Sequence, residues 1–309
     1  MNASLFAFVV FAWGLTWYAI RLELGPVPTE TSIFWRFLVA SAIMWIGLAL
    51  AGRLKRAPLR AHLWFAALGV ALFFGNFLFF YNAEKFIASG VVSVVFASAS
   101  AFNVFNQWLI NGVRPSARAV LGALIGVAGV AFLFADQLAA TAAGGGSALG
   151  LLLSIGGTYC FSLGNLASRP AAEAAGDLPN AIARAMTWGA AMLAVLVAAR
   201  GLSFAPSTEP VYVGALLYLA AVGSALGFLA YLALVARIGP ERAAYCTILS
   251  PVIALAVSWL LEGYHWTPWA LIAAPLILIG NVVIFLPGFG RDMVRPQPSS
   301  LQAEAAPGE

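Results

Sequence analysis

Charged residues are scarce in this chain of 309 amino acids. Asp, Glu, Lys and Arg together make up 9% of the sequence, whereas hydrophobic residues make up 62% and the mean hydropathy is +0.92. An ordinary soluble domain carries about 25% charged residues. A soluble fold of this length could not bury so much apolar surface, whereas a lipid bilayer can cover it. The composition therefore predicts an integral membrane protein.

Cysteine and catalytic motifs are also scarce. The two cysteines, Cys160 and Cys246, lie inside apolar runs and have no CxxC or Cys/His pattern, so neither a disulfide framework nor a zinc site is predicted. The chain has no P-loop, no HExxH motif and no Asp/His/Ser trio at membrane depth. We therefore expect no catalytic residue, no metal and no cofactor. A membrane enzyme or scaffold is kept as a remote alternative.

The excess of basic residues does not indicate nucleic acid. The formal net charge is +4, but Lys and Arg are scattered at the ends of apolar runs, where the positive-inside rule places them. The first apolar run has no basic n-region and no A-x-A cleavage site before Arg21, which disfavours a removable signal peptide. The expected partners are a small-molecule substrate and the lipid bilayer, with no nucleic acid.

Ten apolar runs have about the 20 residues that a helix needs to cross a bilayer. Alternate breaks between the runs hold twelve and four of the Lys and Arg residues, which predicts that both termini are cytoplasmic. The sequence therefore predicts an all-α integral membrane protein with ten transmembrane helices. The runs cover roughly residues 4–20, 31–52, 62–83, 88–110, 116–135, 147–167, 179–200, 210–234, 242–262 and 268–287.

The chain repeats itself at an offset of about 150 residues. The segment Ile87–Phe134 aligns with Ile238–Phe285, and at nearly the same offset Arg36 aligns with Arg184. Because five spans per half is an odd number, the second half enters the membrane from the opposite side. Such inverted repeats are typical of secondary transporters with a site near the bilayer midplane. The predicted units are a first five-helix repeat at 1–140, a second, inverted five-helix repeat at 141–290 and a disordered cytoplasmic tail at 291–309.

Three short motifs carry a resemblance to a known family. They are Trp13-Gly14-Leu15-Thr16-Trp17 in the first run, Arg36-Phe37-Leu38 in the second and Ser250-Pro251-Val252 in the ninth. With the 5+5 repeat, the chain resembles the EamA-type branch of the drug/metabolite transporter superfamily and is similar to YddG-type exporters of aromatic amino acids. The resemblance covers roughly residues 1–287. It implies a bacterial inner-membrane exporter whose helices surround a central cavity that opens alternately to the two sides, with the fifth and tenth spans towards the outside.

Carboxylates are missing from the interior of the predicted spans. A carboxylate at the midplane is the usual proton relay of a membrane transporter, and the resemblance implies one in the first span of the small multidrug-resistance relatives. We therefore expect uniport down the gradient of the substrate, with an ion-coupled drug or metabolite exporter as the alternative. The acidic residues at span ends or in loops include Glu23, Glu30, Glu84, Asp136, Glu209, Glu241 and Glu262.

The predicted site therefore depends on aromatic rings, amides, hydroxyls and freed backbone groups. Trp13 and Trp17 are four residues apart and share one helix face, and Asn76 places an amide deep in the membrane. Such walls suit a flat apolar side chain, so we expect export of amino acids with aromatic or other apolar side chains and of related small metabolites. The candidate substrate-binding residues are Trp13, Thr16, Trp17, Asn76, Phe77, Tyr81, Asn103, Tyr159, Asn165, Trp188, Tyr231 and Ser250, and the candidate gating or kink positions are Gly75 and Pro251.

Structural roles compete with substrate contact at several positions. A tryptophan belt at the membrane interface would explain Trp17, and hydrogen bonding between helices would explain Asn76 equally well. Arg36 could contact a substrate carboxylate, but snorkelling or capping is favoured because its counterpart Arg184 lies at the cytoplasmic side. The stretch Gly122-x-x-x-Gly126 allows close packing inside the chain or between copies. The oligomeric state stays open, with a monomer favoured.

Overall fold

The computed structural model of the protein describes residues 2–142, 148–239 and 243–285. Helix is the regular secondary structure of these ranges, and no β-strand is found within them beyond an isolated bridge between Leu24 and Val27. The all-α class predicted from the sequence is therefore confirmed. The tail predicted to be disordered, at 291–309, lies outside the described residues.

Ten helices organise the described chain, and eight of them are long and apolar enough to cross a membrane. The other two, α5 and α9 below, contain the shorter apolar helices Ala117–Leu133 and Tyr245–Leu261. We number them α1 (Asn2–Glu23), α2 (Thr29–Leu50), α3 (Leu59–Ala83), α4 (Ser89–Asn111), α5 (Ala117–Ala142), α6 (Ala148–Ala175), α7 (Leu178–Ala199), α8 (Pro210–Val235), α9 (Tyr245–Leu261) and α10 (Pro268–Phe285).

Eight of the helices form a closed ring in which the two halves of the chain alternate. Helix α1 packs between α8 and α9, α2 between α7 and α8, α3 between α6 and α7, and α4 between α6 and α9. Each of these four ring helices from the first half is thus flanked by two helices from the second half. Helices α5 and α10 pack chiefly against each other and attach to this ring through α4, α6 and α9.

Three ring helices are irregular near their middle. The segments Val70–Gly75 of α3 and Tyr218–Leu226 of α8 are π-helical, and α4 is interrupted at Ser98. A π-helical turn is rare, disturbs the regular hydrogen bonding of the backbone and is frequent at functional sites. The two π-helical segments lie at nearly the offset at which the sequence repeats, and both border the interior of the ring.

Basic residues concentrate where α2 joins α3 and where α6 joins α7, and these two connections are fixed to each other. The Nζ of Lys55 lies 3.0 Å from Oδ2 of Asp177, and Arg184 donates to the backbone carbonyl of Lys55. Although burial favours the neutral acid, hydrogen bonds from Asn180 and Lys55 and the charge of Lys55 lower the pKa of Asp177. We call this end of the ring the basic end; the connection from α4 to α5 lies there too.

Carboxylates concentrate at the opposite end, which we call the acidic end. Arg200 at the end of α7 pairs with Glu30 at the start of α2. The backbone nitrogen of Ser89, at the start of α4, donates to Oε2 of Glu262 at the end of α9, at 3.0 Å. These contacts hold helices from the two halves of the chain together at the acidic end.

Helices α5 and α10 touch through glycine. A Cβ atom added at Gly122 would lie 2.6 Å from the carbonyl oxygen of Gly280, and one added at Gly280 would lie 2.7 Å from the backbone nitrogen of Gly126. A larger residue at either of these two contacts would push the helices apart. The stretch Gly122-x-x-x-Gly126, which the sequence left open between internal and intermolecular packing, is therefore packed inside the chain.

Candidate functional site

The ring encloses a cavity of about 1140 Å³ that extends to the basic end. Ser116 and Arg118 at the start of α5 and Leu178 at the start of α7 line its mouth, and Arg36, Phe77 and Ile20 line its deep end. Binding sites for small molecules commonly enclose about 300–1,000 Å³, so the cavity is large enough for an amino acid or a metabolite of similar size.

Aromatic rings, amides and hydroxyls together line the cavity. The aromatic residues of the lining are Trp13, Trp17, Phe73, Phe77, Phe80, Phe96, Phe161, Phe228, Tyr231 and Phe285. The amide and hydroxyl side chains are Thr16, Asn76, Ser100, Asn103, Gln107, Ser116, Asn165, Ser168, Thr247, Ser250 and Asn281. A solute inside would meet apolar faces with a few hydrogen-bonding groups among them.

Nine of the twelve residues that the sequence singled out line this cavity. Trp13 packs against Tyr231 with 5.0 Å between the ring centroids, and Trp17 packs edge-on against Phe80 at 5.1 Å. Asn165 donates to Oδ1 of Asn103 at 3.2 Å. The structure therefore brings residues from α1, α3, α4, α6, α8 and α9 to one space. The nine are Trp13, Thr16, Trp17, Asn76, Phe77, Asn103, Asn165, Tyr231 and Ser250.

Three of the twelve residues lie elsewhere. Tyr159 does not line the cavity, because it is two residues before the lining residue Phe161 and so points about 200° away from it around α6. Its ring packs instead against that of Phe102, with 5.5 Å between the centroids. Trp188 borders a smaller cavity of about 500 Å³ near the basic end and donates to Nδ1 of His62 at 3.3 Å. Tyr81 is fully buried beyond the deep end of the main cavity.

The two candidate gating positions are next to the lining and do not themselves line the cavity. Gly75 ends the π-helical segment of α3, directly before the lining residue Asn76. Pro251 lies inside α9, which continues on both sides of it, and the carbonyl that a proline frees four residues earlier belongs to Thr247, which lines the cavity. Their roles in gating stay a prediction.

Some lining residues were not among the candidates from the sequence. Asn281 of α10 is buried, and its Nδ2 donates to the carbonyl oxygen of Ala97 at 2.6 Å, beside the interruption of α4. A single amide in an apolar run was the signal that selected Asn76, and the same signal would have found Asn281. Phe228 also lines the cavity, but a phenylalanine in an apolar run gives no indication of whether its side chain faces lipid or the interior.

Arg36 is the charged residue at the deep end. It is 3% exposed, and its Nε donates to the hydroxyl of Ser224 at 3.2 Å. Its Nη1 donates to the hydroxyl of Tyr81 at 3.4 Å, and this hydroxyl donates to Oε2 of Glu23 at 2.6 Å. The ring of Phe77 covers one face of the guanidinium, with 4.3 Å between Cζ and the ring centroid. A buried cation and a buried carboxylate are thus joined through one phenol.

A buried polar layer closes the cavity at the acidic end. The side chain of Glu84 is 0% exposed, neither of its carboxylate oxygens has a hydrogen-bond partner in the described part of the chain, and Arg21 donates to its backbone carbonyl. Burial, assisted by the charges of Glu262 and Glu23, raises the pKa of Glu84 well above its ordinary value, against the opposing effect of Arg21 and Arg36. Sequence position had placed these carboxylates at span ends. The structure shows that the side chains of Glu23 and Glu84 are buried at these span ends.

These features define a class of protein. A ring of long apolar helices encloses a solute-sized cavity that reaches one end of the ring and is closed by buried polar residues at the other, which is the architecture of a multi-pass membrane transporter. The chain belongs to the EamA-like transporter family, which matches residues 1–135 and 148–286. The family resemblance found in the sequence is thereby confirmed.

Curated relatives carry names from the same class. The chain is 26% identical over 284 residues to the "uncharacterized inner membrane transporter YedA" of Escherichia coli K12, covering 92% of this chain and 90% of that protein. It is 26% identical over 285 residues to the "probable amino-acid metabolite efflux pump" of Salmonella typhimurium, covering 88% and 90% of the two chains. A solved crystal structure aligns with a TM-score of 0.63 and 19% identity over 92% of this chain and 97% of that one, a likeness of fold alone.

Proposed function

We propose that the protein exports amino acids with aromatic or other apolar side chains, and related small metabolites, across a bacterial inner membrane. The observation that carries the proposal is the central cavity, whose walls combine aromatic faces with amides and hydroxyls. Aromatic faces match a flat apolar side chain, and the polar groups match the backbone atoms of an amino acid. The names of two relatives support the proposal: an inner membrane transporter supports the location, and a probable amino-acid metabolite efflux pump supports the substrate class.

The proposal includes ten membrane crossings arranged as two inverted repeats, 1–140 and 141–290, with both termini in the cytoplasm. Three observations support it: the alternation of the two halves around the ring, the matching π-helical segments of α3 and α8, and the concentration of Lys and Arg at one end. The positive-inside rule assigns the basic end to the cytoplasm. Glycosylation-type or enzyme reporters fused to each terminus test the arrangement, and termini on opposite sides would contradict it.

Alternating access follows from the closed acidic end. With the basic end in the cytoplasm, the structure corresponds to a state that accepts solute from inside. The solute leaves when the acidic-end layer opens and the mouth near Ser116 and Leu178 closes, since the ring helices of the two halves can rock against each other. No carboxylate is found among the described lining residues, which supports uniport. The buried carboxylates Glu23 and Glu84 beyond the deep end favour ion coupling as the second candidate.

The decisive experiment uses purified protein in liposomes. Counterflow of labelled phenylalanine, of threonine and of a cationic drug separates the candidates, because a passive amino-acid exporter exchanges phenylalanine without any ion gradient. A pH gradient added in a second series should leave the exchange rate unchanged for a uniporter. Exchange of the drug alone, or exchange that requires the gradient, would contradict the proposed function.

A further inference from the structure

Arg36 lies at the deep end of the cavity and has no direct ion-pair partner among the residues that the structure describes. Its guanidinium contacts two hydroxyls, those of Ser224 and Tyr81, and the faces of two aromatic rings. No ion pair to Arg36 is found in residues 2–142, 148–239 and 243–285. A buried charge without a direct counter-ion is costly, so an arginine in this position is suited to receive an anion from the cavity that it lines.

The counterpart Arg184 shows an arginine of the same chain whose guanidinium is bound by backbone carbonyls. Its Nη1 donates to the backbone carbonyl of Asn180 at 2.9 Å, and its Nη2 donates to the backbone carbonyl of Lys55. Arg184 is therefore committed to a carbonyl in the first turn of α7 and to one in the connection from α2 to α3, and it does not line the main cavity. Arg36 contacts no backbone carbonyl among the described residues, which separates the roles of two arginines that the sequence had treated as equivalent.

The hydroxyl contacts of Arg36 can be replaced by a carboxylate. Their lengths, 3.2 and 3.4 Å, are at or beyond the long end of the usual range for hydrogen bonds. A carboxylate binds the guanidinium edge with two parallel, charge-assisted hydrogen bonds, which are shorter and stronger. The stacked ring of Phe77 covers a face of the guanidinium and leaves its edge available for this geometry.

The charges of the lining select the sign of the solute. The charged residues of the lining are Arg36 and Arg118, and neither an Asp, a Glu nor a Lys is found among the lining residues that the structure describes. The field in such a cavity attracts an anion and opposes a cation. Among the lining residues that the structure describes, a solute's amino group would find amides, hydroxyls and aromatic faces as favourable contacts and no carboxylate.

We propose that Arg36 binds the carboxylate of the transported solute, and that the cavity selects a free carboxylate and does not require a free amino group. This inference rests on the proposed function and deepens it. It predicts that aryl carboxylates without an ammonium group bind in the same cavity, whereas amides of amino acids bind there more weakly.

The test compares three ligands of one shape in protein reconstituted into liposomes. Unlabelled phenylalanine, N-acetylphenylalanine and phenylalanine amide compete with the counterflow of labelled phenylalanine, and quenching of tryptophan fluorescence measures binding in parallel. For the wild type we expect N-acetylphenylalanine to compete and the amide to be at least about tenfold weaker than phenylalanine, because a hydrogen bond to a charged group contributes about 1.5–3 kcal/mol. In Arg36→Gln that discrimination should disappear, and Arg36→Lys should retain part of it.

Ser224→Ala is the matched control, because it removes the acceptor of Nε and leaves the guanidinium in place. We expect this variant to prefer phenylalanine over its amide as the wild type does, and thermal unfolding in detergent checks that each variant is folded. Equal recognition of the amide by the wild type, or an unchanged preference in Arg36→Gln, would overturn the inference. The same holds if Ser224→Ala loses the preference as completely as Arg36→Gln.

Failure of the proposed function gives a different result. If the wild type exchanges no phenylalanine, the amino-acid exporter is wrong, and fluorescence quenching by N-acetylphenylalanine and by phenylalanine amide still decides the role of Arg36. Quenching by the carboxylate that is lost in Arg36→Gln would support the inference, and quenching by neither ligand, or by both equally, would overturn it.

Discussion

The hydroxyl of Tyr81 donates to Oε2 of Glu23 at 2.6 Å, and both side chains are buried. The same hydroxyl accepts a hydrogen bond from Nη1 of Arg36. Tyr81 therefore joins α1, α2 and α3 at the point where the cavity ends. Because these three helices all belong to the first half of the chain, the contact stabilises the arrangement of that half at the closed end.

Replacing Tyr81 by phenylalanine should destabilise the closed end. The change leaves the hydrogen-bonding oxygen of Glu23 buried without a partner, which costs about 1–3 kcal/mol. We expect a lower unfolding temperature in detergent and greater labelling of a cysteine introduced next to Glu23. Tyr159→Phe is the control, because the hydroxyl of Tyr159 makes no hydrogen bond to the described residues. Equal unfolding temperatures of the two variants would show that the contact does not hold the closed end.

Replacing Trp17 by alanine should reduce transport more than replacing Trp188. Trp17 lines the cavity and packs against Phe80 and Phe96, so its loss enlarges the deep end and removes an aromatic face from the solute. We expect at least about a tenfold loss of exchange rate, since burial of an aromatic side chain against a ligand contributes about 1.5–3 kcal/mol. Trp188→Ala removes the same residue type outside the main cavity and should keep most of the activity. Counterflow of phenylalanine in liposomes measures both.

Trp17 and Trp188 also show which features of the fold and the site can be predicted from the sequence. Run length and the positions of Pro, Gly and charge predicted the helices, because crossing a bilayer imposes about 20 apolar residues whatever the packing. The direction of each side chain was less predictable, since lipid and an aromatic-lined cavity both accept tryptophan. Trp17 and Trp188 therefore looked alike. Amides were better guides, because an amide must avoid hydrocarbon, and Asn76, Asn103 and Asn165 all line the cavity.

Charges at the ends of spans posed a second difficulty. The position of Glu84 in the sequence, between two apolar runs, is that of a solvated loop residue. Glu84 is buried in the structure because the short connection from α3 to α4 packs against α1, where Arg21 donates to the backbone carbonyl of Glu84. The connection is also close enough to α9 that, in addition to burial, the charge of Glu262 raises the pKa of Glu84. Such a contact between residues far apart in sequence has no local signal, since nothing in residues 83–89 encodes the approach of α1 and α9.

The buried carboxyl of Glu84 should make the closed end sensitive to pH. Its raised pKa means that the closed structure favours the neutral acid. The resulting stability is fully present below the ordinary pKa of a glutamate, about 4.3, and is lost as the pH rises through the raised pKa. The charged groups that act on it are Glu262, Glu23, Arg21 and Arg36. We therefore expect the unfolding temperature of the wild type to fall as the pH rises from about 5 towards 9.

Glu84→Gln tests the assignment, because a carboxamide resembles the neutral acid and does not titrate. Its unfolding temperature should vary less with pH over the same range than that of the wild type. Glu209→Gln is the control, since Glu209 is exposed and should leave the pH dependence unchanged. A wild-type slope that persists in Glu84→Gln would assign the pH dependence to other groups.

The packing of α5 on α10 can be tested with two glycines of the same contact. A Cβ at Gly280 would lie 2.6 Å from the carbonyl oxygen of Gly122, whereas a Cβ at Gly126 would meet no atom within 4 Å. Gly280→Ala should therefore overpack the contact, at a cost of about 1–3 kcal/mol. Gly126→Ala should be neutral or stabilising by up to about 1 kcal/mol, because alanine favours a helix more than glycine does.

Thermal unfolding in detergent compares these two variants directly. They add the same methyl group to neighbouring positions of one helix pair, so a difference between them reports the backbone approach and not helix propensity. A lower unfolding temperature for Gly280→Ala alone would place the α5–α10 contact in the folded monomer. Equal unfolding temperatures would mean that the two helices are farther apart than the structure has them, and the glycines of α5 would then be free to pack against a second copy of the chain.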